Sequence, residues 1–249
     1  MNRDKIRFRA SKLSARRRGL IIAVVGLALL ATGCTQTESF HSAGDLARPV
    51  GMTHVLLMPP DISLAEVTAA GLLEPNAEWT EMARPHILNA LREMLGERNA
   101  ELVTYQEAPP DSEAFHAATQ LVKLHNAVGQ SIIIHKYAGG NALPTKEDKF
   151  DWSLGSRAAR LRDDYGADYA LFVYLRDSYA SAGRVALVVI GALLGGYVPG
   201  GLQFGFASLV DLHTGDVVWF NLLVSETGDL RDAESAREAC ERLLDEFPL

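Results

Sequence analysis

The sequence has few of the features on which a reaction or a cross-linked fold is usually built. Only two cysteines, Cys34 and Cys240, occur in 249 residues, which excludes a framework of several disulfides. There is no H-E-x-x-H sequence and no cluster of cysteine with histidine, so we expect no metal site. Walker loops and dinucleotide-binding glycine motifs are also missing, and no cofactor is expected. The fold must therefore rest on its apolar core.

Basic side chains are scarce after residue 33. Residues 1–33 hold eight of the 24 Lys and Arg residues and one of the 31 Asp and Glu residues. The chain from Cys34 onward therefore carries 16 basic and 30 acidic side chains, a net charge of −14. Such a chain repels a phosphate backbone, so nucleic acid is excluded as a partner.

The first 34 residues have the three-part layout of a bacterial export signal. Eight basic residues precede residue 19, and an uninterrupted apolar stretch, GLIIAVVGLALL, follows from Gly19 to Leu30. This stretch is too short to cross a bilayer, which takes about 20 residues. Small residues then lead to Cys34, which favours a cleaved signal. The alternative is an amino-terminal anchor helix with an incidental cysteine.

The run Leu30-Ala31-Thr32-Gly33-Cys34 resembles the bacterial lipobox, although Ala31 stands where leucine is commonest. The resemblance implies that the Cys34 thiol receives a diacylglycerol and that residues 1–33 are removed. It also implies that the new amino group is acylated, typically with palmitate. Because Thr35, and not an aspartate, follows the cysteine, the same resemblance implies an anchor on the periplasmic face of the outer membrane. Two or three acyl chains hold a protein on a bilayer almost permanently.

The remaining chain predicts a flexible tether, residues 34–52, and one α/β domain, residues 53–249. The tether is polar and has no periodic apolar pattern. In the domain, β-prone runs predict about five strands: Thr53–Met58, Glu101–Tyr105, Tyr169–Leu175, Leu202–Leu212 and Val217–Ser225. The apolar run Tyr169–Leu175 is typical of a central strand covered on both faces. Gly215 in a positive-φ turn predicts a hairpin between the last two strands.

Apolar residues at helical spacing predict helices between these strands and at the carboxy terminus. Expected caps are Asn76, Asp111, Ser153 and Asp229. Pro85 predicts a kink or a late start in the first helix. The last helix places Cys240 on its buried stripe and packs on the sheet. The expected architecture is a three-layer domain with a mixed central sheet flanked by helices.

Two short motifs stand in the second half of the domain. The first is Gly166-Ala167-Asp168 before a strand. The second is a hairpin with Leu209, Val210, Asp211, Thr214, Gly215 and Trp219 at fixed spacing. Together they resemble a pattern in bacterial envelope lipoproteins related to the curli secretion channel. More distantly, they are similar to the amino-terminal domain of the Tol-system periplasmic protein. The resemblance implies a three-layer α/β domain with a role in assembly or secretion, and it brings no catalytic residue.

Residues 185–201 form the most unusual segment, an apolar insertion that ends in a glycine-rich stretch. At this length it falls short of a spanning helix. Three interpretations stay open: a buried insertion, an exposed surface for self-association or a partner, and a membrane-entering segment. The candidate contact residues are Val185, Leu187, Val189, Leu193, Leu194 and Tyr197.

These features predict an outer-membrane lipoprotein whose domain binds or assembles, and does not catalyse, in envelope biogenesis or secretion. Its partners would be the membrane, through Cys34, and an envelope protein or further copies of itself. One alternative is an oligomeric secretion-channel-like subunit that uses residues 185–201. A second is a periplasmic hydrolase, for which Ser153, His135 and Asp168 are the residues to test. A serine nucleophile on a G-x-S-x-G elbow is absent.

Overall fold

The computed structural model describes residues 35–42, 52–98, 100–137, 143–146 and 149–249. The predicted signal peptide, Cys34 and residues 43–51 of the predicted tether lie outside these ranges.

Eight strands and five α-helices make up the described part of the chain. The strands are β1 (Thr35–His41), β2 (Thr53–Leu57), β3 (Asp61–Val67), β4 (Leu73–Pro75), β5 (Ala100–Thr104), β6 (Tyr169–Ala180), β7 (Gln203–Asp211) and β8 (Val217–Ser225). The helices are α1 (Ala77–Gly96), α2 (Glu113–Ile132), α3 (Ala159–Tyr165), α4 (Ala182–Leu193) and α5 (Ala233–Leu243).

The strands form one mixed sheet, with the path β1-β8-β7-β6-β2-β5. One side of β6 pairs in parallel with two successive strands, β2 along its first part and β3 along its second. Pro59 and Pro60 separate β2 from β3, because proline has no N–H to give to a ladder. On its other side β6 pairs with β7, and antiparallel pairing continues through β8 to β1. The prediction of a mixed sheet is confirmed.

Helices cover both faces of this sheet, as the three-layer prediction requires. Ile87 and Leu91 of α1 and Leu243 of α5 pack in one apolar core with Trp219. Leu121 of α2 and Leu161 of α3 pack in the other core, together with Phe172 and Phe220. Adjacent residues of a strand point to opposite faces, which is why Trp219 and Phe220 enter different cores. The carboxy-terminal helix thus packs on the sheet, as predicted.

Strand β1 differs from the sequence prediction, which placed residues 34–52 in a flexible tether. Residues 35–41 pair with β8 from Thr35 opposite Ser225 to His41 opposite Trp219. The strand has one large apolar side chain, Phe40, whose ring centroid lies 4.9 Å from that of Tyr137. Backbone hydrogen bonds to the β8 edge hold a segment whose own sequence carries almost no apolar pattern.

Strands β3 and β4 are also absent from the five strands that the sequence predicts. In the structure Ile62, Leu64 and Val67 of β3 are buried against α1 and β6. Strand β4 extends the sheet by pairing with β3. The sheet therefore has three more strands than the five predicted, and all five predicted strands are present.

Local sequence patterns predicted one helix cap correctly and others wrongly. Asn76 caps α1 as predicted, accepting a hydrogen bond from the N–H of Trp79 at 3.0 Å, and the helix continues through Pro85. The predicted late start is therefore wrong. Ser112 caps α2 in place of Asp111, which lies at φ +65°.

The cap of α5 is Asp232 and not Asp229. The carboxylate of Asp229 is engaged by the guanidinium of Arg231 at 2.7 Å, so it is not available to the helix. Within α5 the predicted burial of Cys240 is confirmed, and Ala236 and Leu243 lie on the same buried stripe.

The two lipoprotein-like motifs have structural roles. Gly166 ends α3 at φ +65°, and the carboxylate of Asp168 accepts a hydrogen bond from the N–H of His54 at 2.9 Å. This bond joins β2 to the start of β6. Gly215 lies at φ +83° in the β7–β8 turn, as predicted, and a Cβ there would meet the Gly155 carbonyl oxygen at 2.2 Å. Both motifs therefore fix turns at one end of the sheet.

Candidate functional site

The apolar arm, residues 182–202, consists of α4 and the segment that follows it. Ser181 caps the helix by accepting a hydrogen bond from the N–H of Arg184 at 3.2 Å. Gly195, at φ +75°, reverses the chain after α4. The chain then runs back beside the helix, so that a Cβ on Gly191 would meet Val198 at 2.9 Å. Residues 185–202 of this arm carry no charged side chain, and Arg184 is the one charged residue within its bounds.

The base of the arm is tied to the sheet by several hydrogen bonds. The N–H of Ser181 donates to the Val67 carbonyl at 3.0 Å, and the N–H of Ser178 donates to the Leu202 carbonyl at 3.1 Å. The guanidinium of Arg184 donates to the Pro199 carbonyl at 2.9 Å, linking the two limbs of the arm. The arm thus leaves the sheet from a fixed base.

The arm is exposed along its length. None of the residues of α4 is buried, and Leu193, Leu194 and Tyr197 keep 81%, 82% and 73% of their surfaces accessible. The other predicted contact residues, Val185, Leu187 and Val189, are also exposed. The interpretation of residues 185–201 as a buried insertion is therefore wrong in this chain. Helix α4 starts two residues after β6 ends and has no buried residue, so it does not join the helices that pack on the two faces of the sheet.

Exposed apolar surface is the unusual property of this arm. Soluble domains rarely expose contiguous apolar patches of more than a few hundred square ångströms, and larger patches mark interaction or membrane surfaces. Chemically, the arm offers van der Waals contact and apolar burial without charge. Among the residues that the structure describes, no helix is both long and apolar enough to span a bilayer.

A polar cluster lies beneath the arm at the same end of the sheet. The buried carboxylate of Asp177 accepts hydrogen bonds from the Tyr179 hydroxyl and from the amide of Gln203, the latter at 3.2 Å. Burial raises the pKa of Asp177 to about 6, although these hydrogen bonds lower it. The Tyr179 hydroxyl also accepts from the N–H of Leu230 at 2.8 Å. The cluster thereby ties the ends of β6 and β7 to the segment before α5.

Arg231 completes this cluster. Its guanidinium lies 3.9 Å from the ring centroid of Tyr179 and 4.5 Å from that of Trp79. The hydrogen bond and charge of Arg231 hold the pKa of the Asp229 carboxyl below its usual range. Cation–π contact and ion pairing together hold this arginine against Trp79, Tyr179 and Asp229.

The residues considered for hydrolysis are engaged in different contacts. The Ser153 hydroxyl donates to the Gly215 carbonyl at 2.9 Å and accepts from the N–H of Gly155 at 2.9 Å. It therefore ties the loop to the β7–β8 turn, and the prediction that it caps a helix is wrong. The His135 ring stacks on Trp152 with centroids 6.3 Å apart. Asp168 binds the N–H of His54, as described above.

One histidine–serine pair does exist, and sequence reasoning missed it. In the core, Nε2 of His125 lies 2.9 Å from the Ser208 hydroxyl oxygen. Both residues are at most 1% exposed, and the His125 ring stacks on Phe172 with centroids 4.9 Å apart. Burial lowers the pKa of His125 to about 4. The position of His125 four residues after Leu121, on the apolar stripe of α2, was the available signal for burial. The pair satisfies two polar groups inside the core.

Cys240 is buried, and burial raises the pKa of its thiol to about 12, so the sulfur stays protonated at neutral pH. Cys34, the predicted lipid attachment site, lies outside the described residues. Within the described ranges, no group of three or more His, Cys, Asp or Glu side chains is placed to hold a metal ion.

Comparison with known proteins gives distant structural likeness alone. No family model matches the chain, and no curated protein sequence matches it. It is similar to the PelC dodecamer from Paraburkholderia phytofirmans in space group P6, with a TM-score of 0.35 and 14% identity over 84% of this chain and 96% of that chain. A variant PelC dodecamer in space group C2 gives a TM-score of 0.34 and 14% identity over 85% and 98%. Likeness at this level assigns neither a family nor a function to the chain.

Proposed function

We propose that the protein is an outer-membrane lipoprotein with a non-catalytic domain that binds or assembles with other envelope components in biogenesis or secretion. Residues 1–33 are its export signal, and Cys34 carries the lipid. The domain, residues 53–249 together with β1, stands on the periplasmic side. Its contact surface is the apolar arm.

The observation that carries this proposal is the exposure of the uncharged residues 185–202 of the arm on an otherwise acidic protein. Leu193, Leu194 and Tyr197 are held in water by a fixed base and a capped helix, not by a loose loop. Burial of apolar surface stabilises a protein by about 25 cal/mol per Å², and these exposed side chains do not contribute it within the chain. A binding partner that covered them would gain this free energy. A contact role explains why the arm exists.

The lipobox supports the location. The run that ends at Cys34 has the residue types that precede a lipid-modified cysteine, and a strongly basic, then apolar, segment comes before it. Mass spectrometry of natively expressed protein tests this directly. We expect an amino-terminal peptide that begins at Cys34 and carries the mass of a diacylglycerol and one further acyl chain.

A pair of cysteine variants provides the matched test. Cys34→Ala should retain residues 1–33 and lose the acyl mass and outer-membrane fractionation. Cys240→Ala should be processed and sorted like the parent, because that thiol is buried in the core. An unmodified Cys34 in freely diffusing protein would contradict the proposal.

Detergent-extracted size tests the mode of assembly. A monomer or small complex agrees with a lipid-anchored binding domain. A large, discrete complex would favour the alternative, an oligomeric secretion-channel-like subunit that uses residues 185–201. Cross-linking from intact membranes, followed by identification of the captured proteins, then distinguishes self-association from a different envelope partner.

A further inference from the structure

The pairing of four strands places Thr35 at the same end of the sheet as the apolar arm. Thr35 of β1 lies opposite Ser225 of β8, and Ser225 lies opposite Gln203 of β7. Gln203 in turn lies opposite Asp177 of β6. These four residues form one row across the sheet, so the amino-terminal end of β1 is fixed at this end.

Both ends of the arm lie close in sequence to residues of that row. Helix α4 starts five residues after Asp177, and Leu202 immediately precedes Gln203. The Tyr197 hydroxyl donates a hydrogen bond to the Glu226 carboxylate at 2.8 Å. Because Glu226 follows Ser225, this bond joins the arm to the strand end that pairs with Thr35.

Cys34 is bonded to Thr35, and consecutive Cα atoms are about 3.8 Å apart. A lipid on Cys34 would therefore start one residue from the row of strand ends. No long tether separates it from the sheet, because residues 35–41 are themselves part of the sheet. The leaflet that holds the acyl chains must then lie next to this end of the domain.

Further apolar side chains lie at the same end. Val67 pairs with Ala180 in β6 and with Leu73 in β4, so β4 lies beside the base of the arm. Leu72 and Leu73 are exposed there. A Cβ on Gly71, in the same turn, would meet the Arg184 guanidinium at 3.3 Å. The turn that carries Leu72 therefore lies beside the base of the arm, next to Arg184.

The size and charge of the arm fit an interfacial position. Its 12-residue helix is about 18 Å long at 1.5 Å per residue, against a hydrocarbon core of about 30 Å. Helices that lie in the interface bury one apolar face at the boundary of headgroups and acyl chains. Residues 185–202 have no charge to desolvate. The net charge of −14 from Cys34 onward would repel anionic lipids, so contact between the arm and a membrane has to come from burial of apolar side chains.

We infer that the apolar arm, residues 182–202, rests in the leaflet that holds the Cys34 lipid, so that the domain contacts the membrane at two points. The inference builds on the proposed lipid attachment. The covalent lipid keeps the arm at a high effective concentration at the bilayer surface, so weak apolar contact is enough to hold it there. A second copy or another protein would have to compete with that contact.

Fluorescence of the lipidated protein on vesicles tests the inference. The full chain, with its own signal and with Cys240→Ala to remove the core thiol, is reconstituted into phosphatidylcholine vesicles. An environment-sensitive probe is attached at Leu194→Cys or at Met52→Cys. Met52 is a matched control because it is 60% exposed and apolar, yet precedes β2 at the opposite end of the sheet.

We expect phosphatidylcholine with brominated acyl chains to quench the probe at position 194 about threefold more than the probe at position 52. Raising the salt concentration should leave this difference unchanged, because the contact is apolar. Co-flotation of the protein with the vesicles reports the lipid anchor separately.

Each other outcome overturns the inference in a distinguishable way. Co-flotation with equal quenching at both positions would leave the lipid anchor standing and refute leaflet contact. A blue-shifted probe at position 194 without lipid quenching would show that protein, such as a second copy, covers the arm. Failure to co-float would refute the lipid attachment, and leaflet contact with it.

Discussion

The carboxylate of Asp177 and the amide of Gln203 are hydrogen bonded across β6 and β7 at 3.2 Å, in a position where both side chains are buried. Their strands face each other in register at this point. The bond lies at the base of the apolar arm, next to the hydrogen bond from the N–H of Ser178 to the Leu202 carbonyl.

Asp177→Asn should change how stability depends on pH. The pKa of Asp177 is about 6 in the fold against 3.8 for the free side chain, so the folded state binds the proton more tightly. The free energy of unfolding therefore falls as pH rises from about 4 to about 6, by roughly 2–3 kcal/mol in total. Urea unfolding between pH 4 and pH 7 should show that the variant lacks this decline.

The exposed Asp163 supplies the control for that measurement. Asp163→Asn should leave the slope between pH 4 and pH 6 as it is in the parent. If Asp177→Asn and Asp163→Asn gave the same pH profile, the buried carboxylate would not be the origin of the decline.

His125 should produce the opposite pH dependence. Its pKa is about 4 in the fold against 6.5 for the free side chain, because burial disfavours the charged imidazolium. The unfolded chain therefore binds more protons between these values, and stability is lost as pH falls from about 6.5 to about 4. The double variant His125→Phe/Ser208→Ala should lose this slope, measured in an Asp177→Asn background to separate the two effects.

The same pair predicts a difference between single and double variants at pH 7. Ser208→Ala alone leaves the ring nitrogen of His125 without this partner, at a cost of about 1–3 kcal/mol. The double variant, which replaces both polar partners by apolar groups, should unfold within about 1 kcal/mol of the parent. Equal losses in both variants would argue against the coupling.

Gly215→Ala should be much more costly than Gly195→Ala. Both glycines have positive φ, at +83° and +75°, which costs an alanine about 1–2 kcal/mol. A Cβ on Gly215 would also meet the Gly155 carbonyl oxygen at 2.2 Å, whereas nothing lies within 4 Å of one on Gly195. Thermal unfolding of the two variants should differ by at least about 1 kcal/mol, and equal values would contradict the close approach.

The tip of the arm should tolerate polar substitution. Leu193→Gln/Leu194→Gln should change the free energy of unfolding by less than about 0.5 kcal/mol, because neither side chain packs in the core. Leu91→Ala, in a fully buried position of α1, should cost about 2–5 kcal/mol. Binding of an apolar dye to the native protein should decrease in the tip variant alone. A large loss of stability at the tip would mean that the arm supports the fold.

Sequence patterns predicted those parts of the fold in which local chemistry and long-range packing agree. The run Tyr169–Leu175 is apolar at every position because helices cover both faces of β6. Gly215 was predictable as a turn because its positive-φ conformation strongly favours glycine. The prediction that Asp229 caps α5 was wrong because the guanidinium of Arg231 binds the same carboxylate.

The parts that could not be predicted depend on distant partners. Strand β1 has Phe40 as its one large apolar side chain, and it is a strand because β8 offers a free edge some 180 residues later in the chain. The arm was recognised as apolar, but its exposure depends on where β6 ends relative to the helices that cover the sheet. No local sequence pattern indicates the pairing of β1 with β8 or the exposure of the arm.

The pairing of β1 with β8 would also determine how a lipid anchor at Cys34 bears mechanical load. A pull on a lipid at Cys34 would act along the axis of β1, so the hydrogen bonds along its seven residues are loaded together in shear and not opened one by one. Pulling the domain away from the lipid would then require all the hydrogen bonds between β1 and β8 to break together.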